Sequence, residues 1–322
     1  MPDDGRRRRR HAHVDAGSGV IMDAAYRSPF DDWHRAASVR SMPAGAWLTG
    51  GAGAWIADEA GGALSGLAAR DARRERAAGG LLIAHLSFTV ALENALISQV
   101  ARDIAARALH ADYGDEVVAD ALRVQCDEAY HALLAQELMT RVRAATGADR
   151  PRRAPGFLRH VDRLVATLPS VDAPVLRFCA AVVAETLITH TLRDDWRDDG
   201  LQPDVRTFLR RHYLDEARHS AYFSRLLTLL WPQWPAGVRD ALRPQWPGLI
   251  DAFLFADARI TTDALEDAGL TACEIDRAMS ACSAPDAMHR RRAQSTRQTL
   301  HALRVAGALD ACESAAVAPG GA

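Results

Sequence analysis

Asp127-Glu128-Ala129-Tyr130-His131 and Asp215-Glu216-Ala217-Arg218-His219 share one pattern, Asp-Glu-x-x-His. On a helix, positions i and i+3 lie on the same face about one turn apart. A Glu and a His so placed can bind one metal ion or bridge two. Upstream of each motif a lone Glu interrupts an apolar run: Glu93 in Val90-Ala91-Leu92-Glu93-Asn94-Ala95-Leu96-Ile97, and Glu185 in Ala181-Val182-Val183-Ala184-Glu185-Thr186-Leu187-Ile188. One Glu from each of two helices, plus a Glu-x-x-His from each of two others, is the ligand set of a four-helix carboxylate di-metal centre. The chain holds 11 Glu and 12 His, so random placement gives fewer than one Glu-x-x-His match. Two matches, each behind an apolar-helix Glu, are not expected by chance.

Burying an unpaired carboxylate costs several kcal/mol, which metal coordination offsets. The competing reading pairs Glu93 or Glu185 with an arginine such as Arg123 or Arg177. Four Glu and two divalent ions make a neutral site. Oxygen and imidazole donors suit iron, with manganese as a second candidate. The second motif carries more than the first. His212 precedes His219 by seven residues, and at ~100° per residue the two differ by only about 20° around the helix. His212, Glu216 and His219 therefore form one stripe, whereas the first motif has Val124 at the equivalent place. His212 is read as a seventh ligand, against the alternative of a polar or surface histidine. Metal-bound imidazoles usually donate their other N–H to a carboxylate. Asp127 and Asp215 are placed to do this crosswise, each for the opposite helix's histidine, with Arg218 pairing one of them. His85, two turns before Glu93, is a candidate for the pocket wall.

The rest of the chain sets bounds. Its 322 residues suffice for a large core, and 39 basic against 41 acidic residues give no electrostatic case for nucleic acid. Every basic residue is Arg, so lysine Schiff-base chemistry is excluded. Cys126, Cys179, Cys273, Cys282 and Cys312 form no C-x-x-C pair, which points to reduced thiols in a cytoplasmic protein, with Cys126 and Cys179 as core residues. Arg6 to Arg10 are not followed by the apolar run of a signal peptide, and no later segment reaches transmembrane length free of charge.

The chain divides into a disordered tail over 1–24, one helical domain over 25–309 and a frayed tail over 310–322. Trp33 reads as an anchor in the irregular stretch that opens the domain. Long helices are expected over 81–109, 115–145, 174–193 and 203–231, with a connecting helix over 156–168 and shorter helices from 249 onward. Alternating apolar–polar runs are missing, so the fold class is all-α. Two helix pairs, each a Glu helix with a Glu-x-x-His helix, form a divergent internal repeat.

Glu93, Glu128, His131, Glu185, His212, Glu216 and His219 together resemble, in type and order, the seven-ligand set of the p-aminobenzoate N-oxygenase family of di-iron proteins. The resemblance covers roughly residues 27–305. It implies a ferritin-like four-helix bundle core with additional N- and C-terminal helices, two iron ions, and a homodimer. It also implies O2-dependent oxidation of an aromatic or other primary amine to hydroxylamine, nitroso or nitro product through a peroxo-diferric intermediate, in secondary metabolism. An external electron donor is required, since no flavin or nicotinamide fingerprint is present. Membrane and nucleic acid are not expected partners. By its distance from the ligand block in the family pattern, Arg291 is the candidate for a substrate carboxylate. A di-iron C–H hydroxylase or desaturase, and a non-enzymatic metal-binding protein, remain open on the same scaffold.

Overall fold

A computed structural model describes residues 26–309, apart from 44, 58–61, 65, 69–70, 150–152, 169, 256–257 and the side chains of 190, 191, 193–195, 287 and 291. The tails assigned to 1–24 and 310–322 lie outside the described residues.

The fold is an all-α, ferritin-like bundle. Two single-turn helices, α1 (Trp33–Ala36) and α2 (Ser38–Ser41), open the described chain. The first bundle helix is α3 (Ala72–Leu92), which passes through a π-helical segment (Glu93–Ile97) into α4 (Ser98–Ala105). Next come α5 (Asp115–Thr146), the connecting α6 (Gly156–Thr167), α7 (Ala173–Asp195) and α8 (Pro203–Leu230). Shorter helices finish the domain: α9 (Ala236–Leu242), α10 (Trp246–Leu254), α11 (Ala258–Asp267), α12 (Ala272–Cys282), α13 (Pro285–Ser295) and α14 (Arg297–Val305). Among the described residues the only β pairing is an isolated bridge, Ala54 to Leu201.

Local chemistry sets the helix ends. Asp71 caps α3 by accepting the Arg73 N–H at 2.9 Å. Gly147, at φ +68°, closes α5 in the left-handed conformation that glycine adopts without penalty. Pro203 occupies the first turn of α8, where no N–H is needed. α7 is apolar on all faces, and from Phe178 to Leu187 its side chains are buried. A helix of that kind belongs at the centre of a bundle. It packs most extensively on α8, while α3 and α4 pack on α5, and α5 meets α8 across the middle. One continuous apolar cluster runs from Tyr26 to Leu309.

Two expectations need correction. The first long helix begins at Ala72, not after Gly79-Gly80. The glycine pair lies inside it because α3 crosses the end of α5 closely. A Cβ on Gly79 would stand 2.8 Å from Thr146 Cβ, and one on Gly80 would stand 3.3 Å from Ala264 Cβ. Gly79→Ala should therefore destabilise the chain by about 1–3 kcal/mol through overpacking, despite alanine's better helix propensity. Thermal or urea denaturation would show this; an unchanged midpoint would contradict it. Cys179 is buried, but Cys126 is exposed. It shares the outward face of α5 with Leu122, Ala129 and Leu133.

The α3–α4 rod, Ala72–Ala105, is apolar and long enough to cross a membrane by composition. Its apolar residues are those of a bundle helix packed on α5, and buried Glu93 sits within it.

Candidate metal centre

Four helices deliver seven side chains to one place. Glu93 comes from the start of the π segment, Glu128 and His131 from α5, Glu185 from α7, and His212, Glu216 and His219 from α8. All seven are 0–2% exposed, which rules out solvation as the partner of their charges. Donor atoms of Glu93, His131, His212 and Glu216 lie within 4.8 Å of one another, as do those of Glu128, Glu185, Glu216 and His219. Glu216 belongs to both groups, so the arrangement is two adjoining clusters with one shared carboxylate.

The distances define the interior. His212 Nε2 lies 3.0 Å from Glu216 Oε1 and 3.3 Å from Glu93 Oε1. His131 Nδ1 lies 3.4 Å from Glu216 Oε1 and 3.6 Å from Glu128 Oε2. His219 Nδ1 lies 2.7 Å from Glu128 Oε1, 3.5 Å from Glu216 Oε1 and 3.8 Å from Glu185 Oε2. None of these approaches has hydrogen-bond geometry. Both carboxylate oxygens of Glu93, Glu128 and Glu216, Glu185 Oε2, both His212 nitrogens, and Nδ1 of His131 and His219 are buried without a hydrogen-bond partner. Native proteins rarely leave so many polar atoms unpaired in one place unless a ligand is missing. Arg123, an alternative partner for a buried Glu, pairs instead with Asp120. The donor set of four carboxylates and three imidazoles, with no thiolate, fits oxygen- and nitrogen-preferring metals such as iron or manganese.

Around this interior the two aspartates cross over. Asp215 on α8 meets His131 Nε2 of α5 at 3.1 Å, and Asp127 on α5 meets His219 Nε2 of α8 at 3.1 Å. Each contact occupies the outer ring nitrogen, so Nδ1 faces the cluster. Asp127 is fixed in turn by the Trp33 indole N–H, 2.8 Å from Oδ2 and 3.0 Å from Oδ1. Asp215 accepts the Ser38 backbone N–H at 3.2 Å and the Arg218 guanidinium. Arg218 also reaches Asp32 at 3.6 Å. The partners Trp33 and Ser38 lie 94 and 177 residues from their aspartates. No spacing rule reaches that far; the sequence signal was a lone tryptophan in an irregular segment.

Electrostatics follow from burial and crowding. Burial works against a charged imidazole, but Asp215, Glu128 and Glu216 hold His131 well above its usual range. Burial likewise opposes charge on His219, and Glu128, Glu216 and Asp127 outweigh it. His212 is shifted down, first by burial and then by nearby His131. Burial pushes the Glu185 carboxyl up, and Glu216 and Glu128 add to the shift. For Asp215 burial would raise the carboxyl, yet the His131 and Ser38 contacts bring it down to about 2. Both shifts favour the protonated imidazole at His131 and His219 in the metal-free protein. A metal ion at Nδ1 must expel those protons, so apparent affinity should rise with pH through the neutral range. Calorimetric titration with Zn2+ in buffers of different ionisation enthalpy should show proton release at pH 7; zero release would contradict the assignment of these nitrogens.

His85 lies half-buried on α3, and burial, with a smaller push from His212, brings its imidazole down to about 4. It is a neutral group on the His212 side of the cluster. The Arg291 side chain lies outside the described residues. Of its neighbours in α13, Arg292 pairs with Asp251 at 2.7 Å and Arg290 is exposed.

A helical bundle in which two helices each give a Glu and two others each give a Glu-x-x-His to one buried cluster is a carboxylate–histidine di-metal protein by class. The model of one family, described as "P-aminobenzoate N-oxygenase AurF", matches residues 68–307. The chain belongs to that p-aminobenzoate N-oxygenase family, whose members are di-iron proteins. No curated protein matches the chain significantly.

Proposed function

We propose that this chain uses two iron ions and O2 to oxidise the nitrogen of an aromatic primary amine, within the biosynthesis of a nitrogen-oxidised secondary metabolite. One observation carries the reading: His212 stands between Glu93 and Glu216, adding a third imidazole to a cluster that otherwise has the six-residue pattern. Glu93, Glu128, His131, Glu185, His212, Glu216 and His219 would hold the ions. The bound iron pair supplies the oxidising chemistry with O2; placement and a dry interior are the work of the chain.

Asp127 and Asp215 keep the outer nitrogens of His219 and His131 engaged, which turns Nδ1 inward and makes each ring a better donor. Burial of all seven side chains keeps bulk water from the reacting atoms. His85, uncharged near neutral pH, can accept or donate a hydrogen bond at the substrate nitrogen without adding charge. Arg291 is the proposed partner of a substrate carboxylate. Reducing equivalents come from an external donor in the cytoplasm.

We also read the protein as a homodimer. Leu122, Cys126, Ala129 and Leu133 recur at positions i, i+4, i+7 and i+11 of α5, exposed and uncharged, and offer one stripe to the same stripe of a second copy. Leu133→Arg should convert dimer to monomer in light scattering. An unchanged dimer would move the interface elsewhere.

The function is tested by loading the chain with Fe2+, supplying O2 and a panel of arylamines that includes p-aminobenzoate, and analysing products by mass spectrometry. Oxygen on nitrogen is expected. A chain holding two irons that oxygenates no amine, but yields product from a C–H substrate, would overturn the N-oxygenase reading.

A further inference from the structure

The two aspartates that flank the cluster are held differently. Asp215 is fixed by a backbone N–H and a guanidinium, neither of which conducts electrons. Asp127 is fixed by an indole. One oxygen, Asp127 Oδ2, joins the two sides: it accepts the Trp33 N–H at 2.8 Å and meets His219 Nε2 at 3.1 Å. On the other edge of that imidazole, Nδ1 faces Glu128 and the cluster interior. A continuous chain of short contacts therefore leads from the interior to Trp33.

Trp33 is buried, one residue from the exposed His34. It sits in α1, outside the four bundle helices, and is 8% exposed. The exposed His34 ring meets it edge-on, with centroids 5.1 Å apart. Electron tunnelling falls steeply with distance and is faster through bonds and hydrogen bonds than across gaps. A polarisable π-system just beneath the surface, hydrogen-bonded through one carboxylate to an imidazole of the site, is the arrangement such transfer favours. Holding Asp127 in place needs no indole, as the Asp215 arm demonstrates.

We propose that Trp33, Asp127 and His219 form the route by which electrons from a one-electron carrier protein reach the metal pair, with Trp33 as the point of entry. The proposal rests on the di-iron reading above. Two carrier molecules each lose one electron and the two ferric ions each gain one; no bond in the chain is made or broken. Trp33 acts as a conduit and a positioning residue and takes no part in the oxygenation itself.

The test uses the full-length, iron-loaded protein and its Trp33→Phe variant. Iron content and the visible spectrum of the oxidised form are measured first. Loss of iron already in the wild-type protein would sink the di-iron reading, not the route. Reduction is then followed by stopped flow, with a reduced [2Fe–2S] ferredoxin as the carrier probe and dithionite as a small reductant that needs no protein entry point. Trp33→Phe should slow reduction by the ferredoxin by an order of magnitude or more, with iron content and reduction by dithionite near wild type.

A second measurement avoids iron altogether. Zn2+ binding to the metal-free protein should shift the Trp33 indole N–H resonance, and Asp127→Asn should abolish that shift. Equal ferredoxin rates in wild type and Trp33→Phe would overturn the proposal. If Trp33→Phe loses iron, Trp33→Gln, which keeps an N–H donor for Asp127 but has no π-system, takes its place. Iron loss there as well would make Trp33 a structural support and end the proposal.

Discussion

Replacing Glu216 by alanine should empty both halves of the metal site. Glu216 is the one side chain common to the two clusters, and its Oε1 lies within 3.5 Å of a nitrogen on each of His131, His212 and His219. Loss of an outer partner of a metal ligand already costs about 10–100-fold in affinity, and removing the shared ligand should exceed that range. Metal analysis after dialysis should fall from two ions per chain to less than one, and N-oxidation should disappear with it. Glu93→Ala is the internal comparison, because Glu93 belongs to one cluster only; it should leave the second ion in place. A Glu216→Ala protein that keeps two ions would show that the clusters do not share this carboxylate.

The second large effect is expected at His212. Both of its ring nitrogens are buried without a hydrogen-bond partner, and a structural histidine would have found one. The ring packs between His131, with centroids 4.4 Å apart, and Phe208, at 5.4 Å. His212→Ala thus removes a donor and leaves a cavity lined partly by an aromatic ring. The six remaining residues still make up the pattern of a di-metal bundle, so the fold and part of the metal content should persist. The ion shared by Glu93 and Glu216 should weaken most, and turnover should fall at least about tenfold, as for loss of other groups that tune a bound metal. The electronic spectrum of the cobalt-substituted protein gives a readout independent of turnover. Unchanged occupancy, spectrum and rate would return His212 to the status of a packed core residue.

Much of the architecture was legible because it rests on local chemistry. α5 starts at Asp115 and stops at Gly147, where a left-handed residue is required, and the pattern of residues placed both ends within a residue or two. Pro203 marked the start of α8 in the same way. Period and order marked Glu93, Glu128, His131, Glu185, Glu216 and His219 as candidates, whereas for His212 spacing left a surface histidine open and the family resemblance added weight.

What escaped was set by tertiary contact. Gly79 and Gly80 look like a break, yet they are small because α5 and α11 press against α3 there. The π segment at Glu93–Ile97 has no proline or glycine to announce it. It begins at a residue of the metal cluster, as such segments often do at functional sites. The crossing of Asp127 and Asp215 between α5 and α8 was foreseen as a geometry, with Arg218 pairing one of them, but their partners Trp33 and Ser38 were not. Trp33 and Ser38 come from a distant segment, and only folding brings them near. Cys126 sits on the outward face of α5, and hydrophobic character alone did not place it.

Crystals of the iron-loaded protein, measured on both sides of the iron absorption edge, test the central claim most directly. Two anomalous peaks per chain are predicted, one among Glu93, His131, His212 and Glu216, the other among Glu128, Glu185, Glu216 and His219. A single peak, or iron bound away from Glu216, would contradict it.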